Sequence, residues 1–439
     1  MLKILHLSDI HMGSGFSHGR INPTTGLNTR LEDFTLALKR CVDSAIANKV
    51  DLVLFGGDAF PDATPAPYLQ QAFAGEFCRL VEANIPTVLL VGNHDQHAQG
   101  VGGASLCIYR TLGVPGFIVG DTFKTHLIET KSGPVQVITL PWLTRSTLLT
   151  KPETQGLSMG EVGELLLSRL SVVLESEIRK LDNTIPTVLL AHVMTDTARY
   201  GAERFLAVGK GFTVPMAILA RDCFDYVALG HVHSYQEVCQ SPLAIYPGSI
   251  ERVDFNEEKE EKGYILLDLE KGKATAEFCP LPARVFKTLE VDLTEKENVQ
   301  AALLKAIEDE KVEEKVVRLI YRLRPDQTEE IDNAALSNAL GLAHSYTIQP
   351  ELVSQLSRPR LPELGVDSAL SPMSALQSYL ENRADLDVIA PDILQAAQGL
   401  IDEDPHGDKS IIARDIAKEN EKSDVINTVD DDTRQLRLL

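Results

Sequence analysis

Residues 2–11 read LKILHLSDIH, an apolar segment that ends in two polar side chains, Asp9 and His11. The segment Ile4–Leu7 is short and almost wholly apolar, which is typical of a strand buried on both faces of a sheet. Because alternate residues of an extended chain project to the same face, Asp9 and His11 can converge on one point. The stretch therefore predicts a buried strand that carries two potential metal ligands at its carboxyl end.

Four further segments repeat this pattern of an apolar strand followed by polar side chains. The predicted strands are Leu52–Phe55, Thr87–Val91, Thr187–Ala191 and Tyr226–Leu229. The polar residues that follow them are, in the same order, Asp58, then Asn93 and His94, then His192, then His231 and His233. Helical patterns such as Leu31–Ala47 lie between the strands and predict an α/β core. In open α/β sheets, sites form at the carboxyl ends of the strands, where all these residues fall.

Seven of these residues are candidate metal ligands, too many for a single ion. They comprise two carboxylates, one amide and four imidazoles: Asp9, His11, Asp58, Asn93, His192, His231 and His233. A lone histidine at a strand end is more often structural, but polar ligands at five strand ends favour metal binding. Oxygen and nitrogen ligands without a thiolate suit Mn²⁺, Fe²⁺ or Zn²⁺. We expect two cations bridged by Asp58, an arrangement that clamps the attacking and leaving oxygens of a phosphoryl displacement.

The composition excludes several classes of protein. Of the 439 residues, 63 are acidic and 42 basic, and the resulting net charge of −21 excludes a general basic coat for nucleic acid. The six cysteines form no CxxC pair, so neither a disulfide framework nor a zinc ribbon is expected. Polar residues occur too early for the apolar core of a signal peptide, and no apolar run approaches the ~18 residues of a membrane helix. We therefore expect a soluble cytoplasmic protein.

Residues 283–349 predict a small separate domain. Residues 289–293 alternate between apolar and acidic side chains, a helical stripe follows, and a second alternating strand spans residues 317–323. The pattern Thr294-x-x-Glu297 predicts a capping box at the start of the helix. The domain is therefore expected to have a strand–helix–strand order.

The other segments outside the strands are linkers, helices and charged stretches. Residues 350–370 are a proline-punctuated linker, and two amphipathic stripes within 371–404 predict a helical hairpin. That hairpin packs either on the main domain or on an external partner. Residues 405–439 form an acid-rich tail. The charged segment Glu251–Lys262 is expected to be a solvated loop.

The order of the polar motifs resembles that of the calcineurin-like metallophosphoesterases. These motifs are Asp-x-His, GGD, GNHD, an isolated histidine and GH-x-H. Within that superfamily, KILHLSDIHMG, DYVALGHVH and YPGSIERVDF (residues 246–255) closely resemble the Mre11/SbcD DNA-repair nucleases. The resemblance implies a four-layer sandwich of two β-sheets flanked by helices in residues 1–282. It also implies a small α+β capping domain for DNA recognition in 283–349 and, in 371–404, a helical hairpin that binds the coiled coil of an SbcC/Rad50-like ATPase.

The resemblance also implies specific roles for the candidate ligands. One ion would be held by Asp9, His11, Asp58 and His233, and the second by Asp58, Asn93, His192 and His231. His94 would contact the scissile phosphate and assist the leaving oxygen. The implied reaction is Mn²⁺-dependent cleavage of DNA, as a 3′→5′ exonuclease on duplex ends and an endonuclease on single strands or hairpins, with Mg²⁺, Fe²⁺ or Zn²⁺ as alternative metals. The implied assembly is a homodimer within a heterotetramer that includes the ATPase.

The sequence departs from these nucleases at two places. Pro61 stands where many of them have histidine or aspartate, and the segment Gly13–Leu31 is longer than in the shorter members. In so acidic a chain, DNA binding would rely on the metals, the partner and a few basic residues of the capping domain. The candidates for this role are Arg284, Lys287, Arg318, Arg322 and Arg324, and the last three are the predicted DNA-binding residues. We therefore predict weak DNA affinity for the isolated chain.

Two other functional hypotheses stay open. One is another hydrolase with the same dinuclear site, such as a cyclic-nucleotide phosphodiesterase or a phosphatase. Phosphoprotein phosphatases usually carry an arginine just after the GD segment, and GGDAFPDATP (residues 56–65) has none. The other is a non-catalytic interaction module, which the complete set of ligands disfavours.

Overall fold

Short apolar segments of the sequence form the central strands of two six-stranded sheets in the computed structural model of the protein. The structure describes residues 1–97, 104–143, 154–199, 213–353, 372–381, 386 and 389–403. Residues 1–353 form one compact unit, and the chain from residue 354 onward forms a second. The two sheets and all of the predicted metal ligands belong to the first unit.

Strands and helices alternate along most of the first unit, as predicted for an α/β core. The described strands are β1 (Leu2–Leu7), β2 (Leu52–Phe55), β3 (Thr87–Leu90), β4 (Phe117–Gly120), β5 (Lys124–Thr130), β6 (Gly133–Leu140), β7 (Thr187–His192), β8 (Met194–Thr195), β9 (Thr213–Val214), β10 (Tyr226–Gly230), β11 (Gln236–Gln240), β12 (Leu243–Tyr246), β13 (Lys262–Glu270), β14 (Lys273–Leu281), β15 (Phe286–Asp292), β16 (Val316–Leu323) and β17 (Ser345–Leu352). The described helices are α1 (Thr29–Ala47), α2 (Pro67–Glu82), α3 (Cys107–Leu112), α4 (Met159–Ile178), α5 (Met216–Leu219), α6 (Val299–Glu310), α7 (Asn333–Ala339), α8 (Pro372–Glu381) and α9 (Ala390–Glu403).

Both large sheets are mixed: the first has antiparallel strands at one edge only, whereas the second has an antiparallel strand at each edge. The first has the order β14-β13-β1-β2-β3-β4, and the second has the order β11-β12-β10-β7-β6-β5. Strands β1 to β4 run parallel, as do β6, β7, β10 and β12. Strands β2, β3, β7 and β10 are buried along their whole length, which explains why their sequences are continuous apolar runs.

The two large sheets pack face to face over an apolar layer. Ile4, Leu54 and Val88 of the first sheet belong to the same core as Val188 and Tyr226 of the second. Helices α1 and α2 cover the outer face of the first sheet, and α4 and α5 cover the outer face of the second. These four layers confirm the predicted fold class of α/β sheets flanked by helices.

Helix α1 shows how local sequence builds an outer layer. Asn28 caps the helix, because its side chain accepts a hydrogen bond from the Arg30 backbone N–H at 2.9 Å. Leu31, Phe34 and Leu38 recur at helical spacing and are buried. The predicted helix over Leu31–Ala47 is therefore present and begins two residues earlier, at Thr29.

The later part of the first unit contains the predicted strand–helix–strand order, extended by a third strand. Strands β15, β16 and β17 are parallel, and helices α6 and α7 pack on them through a core that includes Leu303 and Leu336. Strand β17 continues to Leu352, beyond the predicted boundary at residue 349. Pro350 is tolerated in it because β17 lies at the edge of its sheet. This sheet belongs to the same compact unit as the two large ones.

The predicted capping box at Thr294-x-x-Glu297 is wrong. Helix α6 begins at Val299, and the side chain of Asn298 caps it through a backbone N–H bond of 2.9 Å. Thr294 donates its hydroxyl to Asp292 Oδ1 at 2.6 Å, within the turn that follows β15. Threonine and asparagine both cap helices and both stabilise turns, so the pattern alone cannot separate the two positions.

The charged segment Glu251–Lys262 is not the solvated loop that its composition predicts, and that expectation is wrong. The exposed fractions of Glu251, Glu257 and Lys262 are only 2%, 6% and 1%. Glu251 lies 3.4 Å from the buried guanidinium of Arg30, and Glu257 lies 2.7 Å from the ammonium of Lys262. Burial is possible because each charge meets an opposite one, which composition does not reveal.

The second unit contains helices α8 and α9, which contact each other. Most of the predicted linker, residues 354–370, lies outside the described residues, and so does the predicted tail, residues 405–439. Over the part of the chain that the structure describes, no helix is long and apolar enough to cross a membrane.

Candidate metal centre

The predicted ligands lie at or just after the carboxyl ends of β1, β2, β3, β7 and β10. Backbone hydrogen bonds join the first two of these loops, because Asp9 N donates to Gly57 O and His11 N donates to Asp58 O, both at 3.0 Å. A third bond crosses between the sheets, from the His231 backbone N–H to Asp9 Oδ2 at 3.0 Å. The loops of both sheets therefore meet at one place.

Four of the predicted ligands have a left-handed backbone, which is uncommon for residues other than glycine. The φ angles are 53° at Asp9, 47° at His11, 59° at Asp58 and 102° at His231. Such conformations cost about 1–3 kcal/mol each and cluster at functional sites, where the surrounding structure enforces them. The surrounding structure therefore holds these residues in strained backbone conformations that direct their side chains toward a common point.

Two glycines allow the loops to approach this closely. A Cβ atom at Gly92 would lie 2.1 Å from Asp58 Oδ1, and one at Gly230 would lie 2.2 Å from the Gly56 carbonyl oxygen. Both distances are far shorter than a van der Waals contact. Any larger residue at these positions would displace the loops that carry the ligands.

Two groups of side chains meet at this place. Within each group the candidate ligand atoms lie within 4.8 Å of one another, and the groups are Asp9, His11 and His233, and Asp58, His192 and His231. Asn93 joins the second group, because its Oδ1 lies 3.0 Å from His192 Nε2 and 2.8 Å from His231 Nδ1. The structure therefore brings all seven predicted ligands together.

Asp58 lies between the two groups. Its Oδ2 is 3.7 Å from His11 Nε2 and 3.4 Å from His192 Nε2. Its Oδ1 accepts a hydrogen bond from the His94 backbone N–H at 2.9 Å. One carboxylate oxygen thus faces both groups, which is the placement that a bridging ligand requires.

Hydrogen bonds on the outer side of two imidazole rings direct their Nε2 atoms into the centre. His233 Nδ1 donates to Glu257 Oε1, and His192 Nδ1 donates to the Gly56 carbonyl oxygen, both at 2.7 Å. Because these acceptors are a carboxylate and a carbonyl, Nδ1 carries the hydrogen and Nε2 of the neutral ring presents a lone pair. His233 Nε2 lies only 3.0 Å from His11 Nε2. Converging lone pairs and buried carboxylates fit divalent cations.

The charges of the centre shift one another's ionisation. Burial raises the pKa of Asp9 and lowers the pKa of His231. Burial acts against the ionised form of Asp58 too, but the neighbouring His192 holds the Asp58 pKa below its usual range. Burial likewise disfavours the charge on His192, yet Asp58 raises the His192 pKa to about 9. Positive charge beside the Asp58 carboxylate therefore favours its ionised form, and a divalent cation would supply such charge.

Asp95 is a buried supporting residue that the sequence analysis missed. Its carboxylate accepts hydrogen bonds from the backbone N–H groups of Asp58 at 2.9 Å, Ala59 at 3.1 Å and Gly92 at 3.0 Å. Burial, reinforced by the charge of Asp58, raises the Asp95 pKa to about 6. Asp95 ties together the loops after β2 and β3, and its position directly after His94 was the signal that could have identified it.

Glu257 is the second supporting residue that the sequence analysis missed. It lies in the segment expected to be solvated, and its carboxylate bonds to His233 and Lys262. Burial opposes its charge, but these two neighbours hold the Glu257 pKa well below its usual range. The segment Glu251–Lys262 is rich in other acidic residues, so its composition gave no signal for this one.

His94 lies beside the two ligand groups. Candidate ligand atoms of His94, His11 and Asp58 lie within 4.8 Å of one another. His94 Nδ1 donates to the Pro61 carbonyl oxygen at 2.8 Å. The residue at which the sequence departs from many of the nucleases thus contributes its backbone to the placement of His94.

The three arginines predicted to bind DNA already have partners within the protein. Arg322 pairs with Glu351 at 2.8 Å, and Arg324 pairs with Asp326 at 3.1 Å. The guanidinium of Arg318 lies over an aromatic ring, 4.4 Å from its centroid. None of the three belongs to the ligand groups of the described residues, and their role in DNA binding stays a prediction.

Known proteins resemble this chain in sequence and fold. Residues 2–235 match the calcineurin-like phosphoesterase family. The chain is 27% identical over 303 residues to a Staphylococcus epidermidis protein named as the SbcD subunit of the nuclease SbcCD, and the alignment covers 66% of this chain and 73% of that protein. A solved structure from Thermus thermophilus is 16% identical, with a TM-score of 0.37, and the match covers 63% of this chain and 98% of that one. A dimetal phosphatase from Danio rerio is 11% identical, with a TM-score of 0.38, and the match covers 63% of this chain and 95% of that one.

The family match includes every predicted ligand and spans more than half of the chain. Together with the two ligand groups, it supports a hydrolase that acts on phosphoesters and uses divalent metal. The chain belongs to the calcineurin-like phosphoesterases.

Proposed function

We propose that this protein is an SbcD-like subunit of a DNA-repair nuclease that hydrolyses phosphodiester bonds with two divalent cations. The observation that carries the proposal is the meeting of Asp58 with six other oxygen and nitrogen ligands. The likeness to the Staphylococcus SbcCD nuclease protein supports DNA as the substrate. The activity on DNA follows the resemblance: exonuclease in the 3′→5′ direction on duplex ends, and endonuclease on single strands or hairpins.

The proposed ligands divide between two Mn²⁺ ions. Asp9, His11, Asp58 and His233 hold one ion, and Asp58, Asn93, His192 and His231 hold the other. When bound, such paired cations supply a hydroxide-like nucleophile at neutral pH and neutralise charge on the phosphate oxygens. Glu257 and Gly56 orient two of the histidines through their Nδ1–H groups.

His94 is the proposed catalytic residue outside the metal ligands. The Pro61 carbonyl accepts from the Nδ1–H group of His94, so Nε2 is the atom that contacts the phosphate. In the ring that carries hydrogens on both nitrogens, the Nε2–H group passes its proton to the leaving oxygen, and the ring becomes neutral. Proton transfer by a positioned side chain typically contributes about 10²–10⁴-fold to the rate.

Residues 283–352 act, in this proposal, as the capping domain that guides DNA to the centre. Arg322 and Arg324 make exposed ion pairs. Exposed pairs contribute little stability, so DNA phosphates can replace the carboxylates as their partners. The net charge of −21 still predicts weak, salt-sensitive binding by the isolated chain.

The second unit is proposed to bind the coiled coil of an SbcC/Rad50-like ATPase, with two nuclease chains in a heterotetramer. The name of the Staphylococcus relative supports a complex of this kind. Deletion of residues 371–401 is expected to abolish capture of an SbcC-like ATPase while Mn²⁺ binding persists. Retained capture would return the hairpin to a packing role within the chain.

The activity test incubates the purified protein and Mn²⁺ with linear duplex DNA, a DNA hairpin and p-nitrophenyl phosphate. Cleavage of both DNAs is expected, and Asp58→Asn is expected to abolish it. Asp225→Asn is the matched control, because Asp225 is also buried but bonds the backbone N–H groups of Thr187 and Gly272. Monoester cleavage with intact DNA would favour a phosphatase, and inertness toward all three substrates would favour a non-catalytic module.

A further inference from the structure

The short turn Phe255–Glu257 presents one residue to the metal centre and another to the β15–β17 sheet. It is a single 3₁₀ turn capped by Asp254, whose side chain accepts from the Asn256 backbone N–H at 2.7 Å. Residues 255 and 257 are both buried, whereas residue 256 between them is exposed. Only one residue therefore separates the two buried side chains along the chain.

On the side of the metal centre, Glu257 fixes the ring of His233. Its Oε1 accepts from His233 Nδ1 at 2.7 Å. A carboxylate bonded to the outer nitrogen of a ligand histidine fixes the tautomer and the orientation of the ring, and its loss typically lowers metal affinity about 10–100-fold. Glu257 occupies this position for His233.

Glu257 is itself held by buried donors. Its Oε2 lies 2.7 Å from Lys262 Nζ and accepts from the Val253 backbone N–H at 3.0 Å. Lys262 also donates to the carbonyl oxygen of His233 at 3.1 Å. A buried ion pair is seldom more stabilising than apolar packing of the same volume, so stability alone does not account for this arrangement. Lys262 instead fixes both ends of the Glu257–His233 contact.

On the opposite side, Phe255 packs against the β15–β17 sheet. Its ring centroid lies 5.0 Å from that of Phe286 in β15 and 4.4 Å from the guanidinium carbon of Arg318 in β16. The next residue after the turn, Glu258, accepts from the Thr288 backbone N–H of β15 at 2.9 Å. The turn is therefore anchored to two strands of that sheet.

We propose that Glu257 is a positioning residue for His233, and that Phe255 makes this positioning depend on how the β15–β17 sheet is docked. The inference rests on the proposed metal centre. It assigns the strand–helix–strand element a second task beside guiding the substrate, namely control of the affinity for the cation that His233 binds. Coupling of this kind has to be shown by non-additive effects of substitutions at its two ends.

The first test measures Mn²⁺ binding to the full-length protein, by the electron paramagnetic resonance signal of the free ion. Glu257→Gln is expected to weaken one of the two ions about 10–100-fold and to leave the other unchanged. Glu177→Gln is the matched control, because Glu177 is also buried but bonds Thr125 and Lys180, neither of which is a proposed ligand. Unchanged affinity for both ions in a folded Glu257→Gln protein would overturn the proposal.

The second test addresses the coupling, and its first measurement, on Phe255→Leu alone, does not require Glu257→Gln to fold. Phe255→Leu keeps an apolar side chain but removes the ring contacts, and it is expected to weaken the same ion about 2- to 30-fold. In the Glu257→Gln background it should weaken that ion no further. Phe117→Leu, which removes ring contacts to Phe77 and Tyr109, is expected to change neither ion. Unchanged affinity in Phe255→Leu, or fully additive losses, would overturn the coupling.

The wild-type titration separates this inference from the proposed function. A wild-type protein that binds no Mn²⁺ would overturn the metal centre itself, and the inference with it. If wild type binds two ions and Glu257→Gln binds each of them with the wild-type affinity, only the positioning role of Glu257 is overturned.

Discussion

At the scale of single residues, the atoms that hydrogen-bond to the histidine ligands determine which nitrogen of each imidazole ring is available to a metal. Gly56 supplies a carbonyl and Glu257 a carboxylate, yet the effect on His192 and His233 is the same. Each acceptor binds the Nδ1 hydrogen and directs Nε2 inward. His94 is held in the same manner by the Pro61 carbonyl, and this makes its inner nitrogen the atom to test.

Replacement of His94 with glutamine is expected to lower the DNA cleavage rate about 10²–10⁴-fold, because glutamine cannot transfer a proton to the leaving oxygen. Both Mn²⁺ ions should still bind, since His94 is not among the proposed ligands. His126→Gln is the control, a partly buried histidine that bonds Thr139 in the second sheet. Steady-state cleavage and Mn²⁺ titration measure the two effects, and an unaltered rate would refute the role of His94.

His6 makes the stability of the protein sensitive to acid. Burial lowers its pKa to about 3, although a backbone hydrogen bond to Leu229 opposes the shift. At pH values between about 3, the pKa of His6 in the folded chain, and about 6.5, its pKa in the unfolded chain, His6 binds a proton only in the unfolded chain. Stability contributed by neutral His6 is therefore complete above pH 6.5 and is lost as the pH falls.

His6→Gln is expected to remove this part of the pH dependence. Between pH 4 and 6, the free energy of unfolding of the variant should fall less steeply than that of the wild type, by about 1.4 kcal/mol per pH unit. Urea unfolding at several pH values measures the slopes. Equal slopes for the two proteins would show that His6 does not titrate on unfolding.

At the scale of secondary-structure elements, buried strands were the features that the sequence specified best. The segment Leu52–Phe55 is a strand with the predicted bounds. A short apolar segment between turn residues is too short for most helices, so few other secondary structures are open to it. Helix boundaries were less certain, as Thr294 and Asn298 show. Both side chains were suited to a cap, and only the packing of α6 decided between them.

Asn298→Ala is expected to destabilise the protein by about 1 kcal/mol, because the backbone N–H that it caps then has no side-chain acceptor. Glu297→Ala tests the rejected capping box. Glu297 makes no hydrogen bond or ion pair within the described ranges, so its removal should leave stability unchanged. Chemical denaturation of both variants measures the difference, and a larger loss in Glu297→Ala would restore the original prediction.

The candidate site was predictable only in part, for a physical reason. Metal ligands are restricted to a few residue types, and Asp9, His11 and Asp58 follow apolar strands, so pattern and chemistry agreed. The supporting atoms carry no such restriction. Every residue type has a backbone carbonyl like the one that Gly56 provides, and acidic residues such as Glu257 are abundant in this sequence.

At the scale of the whole molecule, the proposed cations bind residues from both sheets. Asp9 and Asp58 follow strands of the first sheet, whereas His192 and His231 belong to the second. Ions held in this way stabilise the folded chain, and each adds about 2.7 kcal/mol when its concentration is 100 times the dissociation constant.

Mn²⁺ is therefore expected to raise the melting temperature, and EDTA to reverse the change. Asp58→Asn should abolish the increase, because it removes the ligand shared by both sites. Asp225→Asn should retain the increase, although it starts from a lower melting temperature. Differential scanning calorimetry with and without Mn²⁺ measures each shift, and an increase that persists in Asp58→Asn would contradict the proposed centre.

The hydrogen bond from the His231 backbone to Asp9 is part of the same seam between the sheets. A homologue that lost its metal ligands would lose stability as well as catalysis, because bound ions would no longer join its two large sheets. Mutational drift at positions 9 and 231 would then open the sandwich from that seam. We expect inactive homologues to carry apolar or oppositely charged pairs of residues at positions 9 and 231. A homologue without such a pair is expected to depend on bound metal for its stability.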